Sequence, residues 1–172
     1  GCVVPHFRKI GEWTSAANIN LAAAMEFTMG NGIHRLSGEK LGLDSDLAEA
    51  ATYEDFKKLF LQQVSHLIRV AVTGSLVCQR VHAEIVPRPY LSMLVDGCME
   101  KGKDLSKGGA KYCLAPVLTG IGLADAANAL AAIKKLVFEE SKYTLQDFVS
   151  ALKADWVGDE KMQKDVLACP KY

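Results

Sequence analysis

The sequence predicts a helix-rich α/β fold, a slice of an α/β protein. Three observations carry this reading. Apolar residues recur at three- and four-residue steps over several long segments, Tyr112 to Leu118 is apolar on both faces, and glycine-bearing loops punctuate the chain between them. With 172 residues, 49% of them hydrophobic and 23% charged, the chain has globular composition and fits one domain or part of a larger one.

In chain order, residues 1–17 read as irregular. From Asn18 a helical pattern places Ile19, Ala22, Ala23, Phe27 and Met29 on one face, and Gly30-Asn31-Gly32 ends it. Residues 30–46 form a loop with four glycines. Thr52 followed by Asp55 opens a helix of capping-box type, which the spacing of Phe56, Leu59, Phe60, Val64, Leu67, Ile68 and Ala71 carries to about His82, with a bend at Gly74. Pro87-Arg88-Pro89 breaks the chain, Tyr90 to Lys101 is a short helix, and Gly102 to Gly109 is a polar loop. Tyr112 to Leu118 reads as a fully buried parallel strand. Gly120-Ile121-Gly122 turns into an alanine-rich helix to Glu140, Thr144 to Asp147 opens another ending near Ala154, and Lys161 to Ala168 adds a last turn or two. There is no internal repeat.

Charge and cysteine usage exclude several classes. Twenty basic residues balance twenty acidic ones, so no basic excess draws a nucleic acid. The longest mainly apolar stretch, Cys113 to Val137, is interrupted by Gly120, Gly122, Asp125, Asn128, Lys134 and Lys135, whereas a membrane span needs about 20 apolar residues. The five cysteines are odd in number and widely spread, which reads as free thiols in a reducing cytosol. A chain beginning at Gly1 without a leading Met and stopping at Cys169-Pro170-Lys171-Tyr172 is expected to belong to something longer.

Several motifs have both a chemical and a structural reading. Cys78 and His82 stand one helical turn apart, a spacing that holds metals, yet two ligands make no site and no second pair accompanies them, so no zinc is expected. Gly120-Ile121-Gly122 has the place of a dinucleotide loop, but Asp125 stands where the third glycine belongs, and a tight turn explains both glycines. Gly108-Gly109-Ala110-Lys111 lacks the Walker spacing. Lys57-Lys58 and Lys134-Lys135 are solvated helix faces. Cys2, in Gly1-Cys2-Val3-Val4-Pro5, is either a reactive thiol on a small-residue loop or an incidental cysteine; ionic reactivity would need a cationic neighbour, and His6 is the nearest candidate.

Taken together, the ordered segments resemble the glycyl radical enzymes of the pyruvate formate-lyase-like group. Gly1-Cys2-Val3 resembles the cysteine loop, and Asn18 through Gly32 the helix after it. Pro87-Arg88-Pro89-Tyr90-Leu91-Ser92, Asp96-Gly97-Cys98 and Gly102-Lys103-Asp104 resemble a second block. Gly108 through Tyr112, Gly122 through Asp125, Ala131 through Glu140 and Pro170-Lys171-Tyr172 complete the series. The resemblance implies that residues 1–172 are part of a single ten-stranded α/β barrel, starting at the cysteine loop and ending before the glycine-radical domain. It implies no bound cofactor or metal, a glycyl radical housed outside this chain and installed by a radical S-adenosylmethionine activase, a small-molecule substrate, and a cytoplasmic homodimer. By position Cys2 would be the thiyl residue. Radical transfer needs proximity and burial, so missing cations do not count against Cys2.

Two departures narrow the chemistry. The carboxylate that dehydratases and decarboxylases of the group carry two residues after the cysteine is Val4 here, which cannot accept a proton. Val3 excludes the adjacent-cysteine pattern of pyruvate formate-lyase itself. An apolar Val4 suits a hydrocarbon-like substrate, as in the fumarate-adding branch, for which Arg8 is a candidate cation. Thr14 and Ser15, just after the loop, are candidate substrate contacts; the ordinary alternative is surface-loop hydroxyls. A half-barrel has open strand edges. The isolated 172-residue chain is therefore expected to unfold without a cooperative transition in thermal melts, and a sharp sigmoidal melt would contradict this.

Overall fold

The structure, a computed structural model, describes residues 11–12, 15–113 and 117–171. Its elements, in order, are β1 (Gly11–Glu12), β2 (Ser15–Asn20), α1 (Leu21–Met29), α2 (Tyr53–Ile85), α3 (Pro89–Met93), α4 (Cys98–Lys101), β3 (Tyr112–Cys113), β4 (Val117–Ile121), α5 (Leu123–Ile133), α6 (Leu145–Lys153) and α7 (Glu160–Leu167). β1 pairs with β3 in parallel, Gly11 opposite Tyr112 and Glu12 opposite Cys113, and β2 pairs with β4. The chain divides into two compact units, one of Gly1–Ile19 with Ile68–Thr119 and one of Asn20–Leu67 with Gly120–Tyr172.

The second unit holds the main core. Ala24, Met25 and Met29 of α1, Phe56 and Phe60 of α2, Ala126, Ala132 and Ile133 of α5, Phe148 and Val149 of α6, and Met162 of α7 are buried together. Two helix starts follow the sequence signal closely. Thr52 Oγ1 accepts the Asp55 amide at 3.2 Å while Asp55 accepts the Thr52 amide at 2.9 Å. Thr144 and Asp147 repeat the exchange at 3.1 and 2.7 Å, satisfying amides that a helix start otherwise leaves unpaired.

The loop after α1 is held by a buried amide. Gln63, 1% exposed on α2, accepts from Leu43 N at 2.9 Å through Oε1 and donates to Leu43 O at 2.8 Å through Nε2. One side chain thus pairs both backbone groups of Leu43, as a neighbouring strand would. Ser45, also buried, donates through its hydroxyl to Thr28 O at 2.8 Å and through its backbone amide to Asn31 Oδ1 at 2.7 Å. Helix periodicity is blind to this device, since it marks position 63 only as facing inward.

Five local expectations are corrected. The helix expected from Asn18 begins at Leu21, and part of the stretch read as irregular is strand. Asn20 is the cap, its side chain accepting from Ala22 N at 3.0 Å and Ala23 N at 3.2 Å, because a short amide competes with the backbone and favours the boundary over the interior. β2 carries Ser, Ala and Asn, poor strand formers, so its extended form comes from a partner about a hundred residues away and leaves no local trace.

The single helix expected over Tyr90 to Lys101 is two short ones, α3 and α4. Gly97 has φ +97 between them, and a Cβ there would press on Gly109 O and Lys111 N. Of the strand expected over 112–118, β3 covers 112–113 and β4 begins at Val117, while 114–116 lie outside the described residues. Among the described residues it is not fully buried: Tyr112 is 53% exposed and Val117 to Thr119 are half-buried, each strand having one partner there. α2 continues through Gly74 and past His82 to Ile85.

The helix expected to run to Glu140 changes at Lys134 to π form, which lasts to Glu139. Its wider turn brings residues five apart together, so Lys134 pairs with Glu139 at 3.4 Å and Lys135 with Glu140 at 3.7 Å. These pairs are about half exposed and worth little. Packing is the larger effect, because Phe138 lies 6.1 Å from the Tyr53 ring and 6.4 Å from Phe56.

In the full-length protein, Gln63→Ala should lower stability by about 1 kcal/mol or somewhat more, the cost of losing two hydrogen bonds to part-buried backbone groups of Leu43. Denaturant titration reads this, and a change no larger than that of an exposed-site control would contradict it.

Candidate active site

Cys2 and Thr14 lie outside the described residues, and Ser15 is the first residue of β2. What the structure places are the strands that adjoin them in sequence and the partners of those strands. β1 and β2, the strands that follow the cysteine loop in sequence, pair with β3 and β4, which follow Gly108-Gly109-Ala110-Lys111. Residues 88–111, just ahead of β3, fold into a knot whose centre is one carboxylate.

Asp104 is that centre. Its Oδ2 accepts from Arg88 N at 2.7 Å and lies 2.9 Å from Ser92 Oγ, and its Oδ1 accepts from Ser106 N at 2.9 Å and from the Ser106 hydroxyl. Ser92 Oγ in turn accepts from Leu105 N at 3.0 Å. Burial works to raise the carboxyl's pKa, but the Ser106 hydroxyl, the Ser106 and Arg88 amides and Ser92 together outweigh it and bring the value down from 3.8 to about 2.

The same knot accounts for the neighbouring glycines. A Cβ on Gly109 would collide with the Lys103 carbonyl, and Gly109 N donates to Asp104 O at 3.0 Å. Lys111 N donates to Asp96 O at 2.8 Å, and Cys98, Leu105 and Ala110 close a small core beneath. Segments spread over some two dozen residues therefore act as one piece, delivering the backbone into β3. Sequence reasoning grouped these residues without seeing their centre. Asp104-Leu105-Ser106 carries the local signature of an aspartate capping a turn, which is the signal that marks it.

The other candidate motifs stay apart. Cys78 and His82 are both exposed on α2, and among the described residues no group of three His, Cys, Asp or Glu side chains is placed to hold a metal ion. Gly122 has φ +75 at the start of α5, as a tight strand-to-helix turn requires, and Asp125 sits in the helix's first turn. Among the described residues, no helix is long and apolar enough to cross a membrane.

The profile of the family described as "Pyruvate formate lyase-like" matches residues 1–172. The chain belongs to this family. Its relatives include a (2S)-3-sulfopropanediol dehydratase of Klebsiella oxytoca, 36% identical over 87% of this chain and 18% of that protein. Similar solved structures include the hydroxyproline dehydratase of Clostridioides difficile with trans-4-hydroxy-L-proline bound, with TM-score 0.89 and 29% identity over 95% of this chain and 21% of that one. A glycyl radical enzyme of Archaeoglobus fulgidus matches with TM-score 0.83 and 33% identity, over 92% of this chain and 21% of that one. The chain thus spans about a fifth of the length of the relatives it matches. The helix-rich pyruvate formate-lyase-like architecture expected from the sequence is borne out at this level.

The Asp104 pKa is depressed on folding, so its contribution to stability is complete above about pH 4 and is lost as pH falls from 3.8 through about 2. Asp104→Asn in the full-length protein should lower stability at pH 7 and flatten the loss between pH 4 and 2. Equal acid sensitivity in variant and wild type, read by denaturant midpoints across that range, would contradict the assignment.

Proposed function

We propose that the chain is part of an anaerobic glycyl radical enzyme in which Cys2 is the residue that takes hydrogen from a small organic substrate. The observation that carries this is the family match over residues 1–172, which includes the Gly1-Cys2-Val3 loop. In this reading Cys2 gives its thiol hydrogen to a glycyl radical elsewhere in the parent protein. The resulting thiyl removes a hydrogen atom from a substrate carbon, regenerating the thiol. After the substrate radical has rearranged, the product radical takes a hydrogen back from Cys2. A sulfur–hydrogen bond is weak enough for both transfers, and a closed barrel keeps solvent and oxygen from the radicals.

The relatives that are dehydratases support chemistry that breaks a carbon–heteroatom bond. Val4 separates this chain from the branch that uses a carboxylate two residues after the cysteine. The reaction is accordingly one of C–C or C–heteroatom cleavage or formation that does not depend on a base at position 4, and a fumarate-adding synthase falls within that set. Thr14 and Ser15 serve as substrate contacts. The parent is a ten-stranded barrel, a cytoplasmic homodimer, and a client of a radical S-adenosylmethionine activase. Val4, together with Asn128-Ala129 where Asp-Ser is usual, also favours a second reading, a catalytically silent homologue acting as scaffold or subunit.

Cys2→Ala in the full-length, anaerobically activated protein should abolish turnover and leave the glycyl radical signal in electron paramagnetic resonance intact. Retained turnover would remove Cys2 from the mechanism, and a wild-type protein that carries the radical but turns over no member of a panel of diols, sulfonates and fumarate acceptors would favour the scaffold.

A further inference from the structure

The second half of α2 carries two features that the described residues leave unexplained. Val70, Val77, Val81 and Ile85 are 56, 58, 43 and 70% exposed. With Gly74 between them they follow at three- and four-residue steps, so at about 100° per residue all five fall on one narrow stripe. Ser75 is buried and Ala71, Val72, Gln79 and Ala83 are half-buried on the other side of the helix, so the stripe is a second apolar face. Gly74 is the other feature. Glycine in a helix interior weakens it, and a Cβ here would meet nothing within 4 Å. Its φ is an ordinary helical one, so neither the backbone nor any neighbour in these residues asks for glycine.

We infer that a helix of the same polypeptide, from outside residues 1–172, crosses α2 at Gly74 and covers the Val70–Ile85 stripe. Both features then have one cause. A crossing helix seats its side chains between ridges spaced three and four residues apart, and a glycine at the crossing point lets the two backbones approach closely. The occupant is a segment of the same polypeptide because the chain spans about a fifth of its relatives' length, leaving most of a molecule of that kind to supply it. The inference is independent of the radical chemistry and holds for an active enzyme or a silent homologue alike.

The test uses the full-length protein at several concentrations. Cys78 is exposed beside the stripe and serves as reporter, with Cys78→Ser as the labelling control. The expected result is that Gly74→Ala lowers the melting temperature by a few degrees, and that Cys78 reacts with a thiol reagent at least about tenfold more slowly than in the unfolded chain. Neither effect should change with concentration. A raised melting temperature in Gly74→Ala, the outcome for an uncovered helix, would overturn the inference. So would labelling of wild-type Cys78 at the unfolded rate, a readout that needs no variant to fold. Protection that grows with protein concentration would assign the stripe to a second copy and overturn it equally.

Discussion

Parallel pairing between β1 and β3 is the constraint on which the frame depends. Two parallel strands cannot be joined by a hairpin; the chain must travel away and return, and here it spends the whole of residues 13–111 doing so. α1 to α4 are the content of that excursion. Because β2 and β4 pair as well, the residues that follow the cysteine loop meet those that follow the Gly108–Lys111 turn at two successive places. Strands as short as these contribute few ladder bonds, so their position must be held from elsewhere.

The Asp104 knot supplies that hold on the β3 side. A carboxylate kept ionised by two backbone amides and two hydroxyl partners ties the Pro87-Arg88-Pro89 break, α3 and the loop before β3 into one body. The motif residues of this block are thus spent on shape: they fix how the backbone enters β3.

Legibility from sequence followed the range of each interaction. Helix starts at Thr52 and Thr144 were legible because both partners of each capping box lie within three residues. The core face of α2 was legible from the recurrence of Phe56, Phe60 and Val64. β1 and β2 were not, since Gly11-Glu12 is too short to show a pattern, the Ser, Ala and Asn of β2 carry no strand signal, and the partner strands lie far along the chain. The break between α3 and α4 was missed because Gly97 faces Gly109, twelve positions on. The π turn was missed although its ion pairs, five apart, were in plain sight as Lys134-Lys135 and Glu139-Glu140. The thiyl role of Cys2 rests on family resemblance alone, since its local context fits an incidental cysteine as well as a reactive one.

The central claim is that Cys2 exchanges hydrogen with a glycyl radical. It is tested most directly by activating the full-length protein anaerobically in heavy water and following the radical's electron paramagnetic resonance line shape. In protein equilibrated with heavy water before activation, the thiol already carries deuterium. Reversible transfer through Cys2 would then replace the hydrogen left on the radical-bearing glycine, and the account predicts that the splitting due to that hydrogen collapses. A radical whose splitting persists unchanged in heavy water would contradict it.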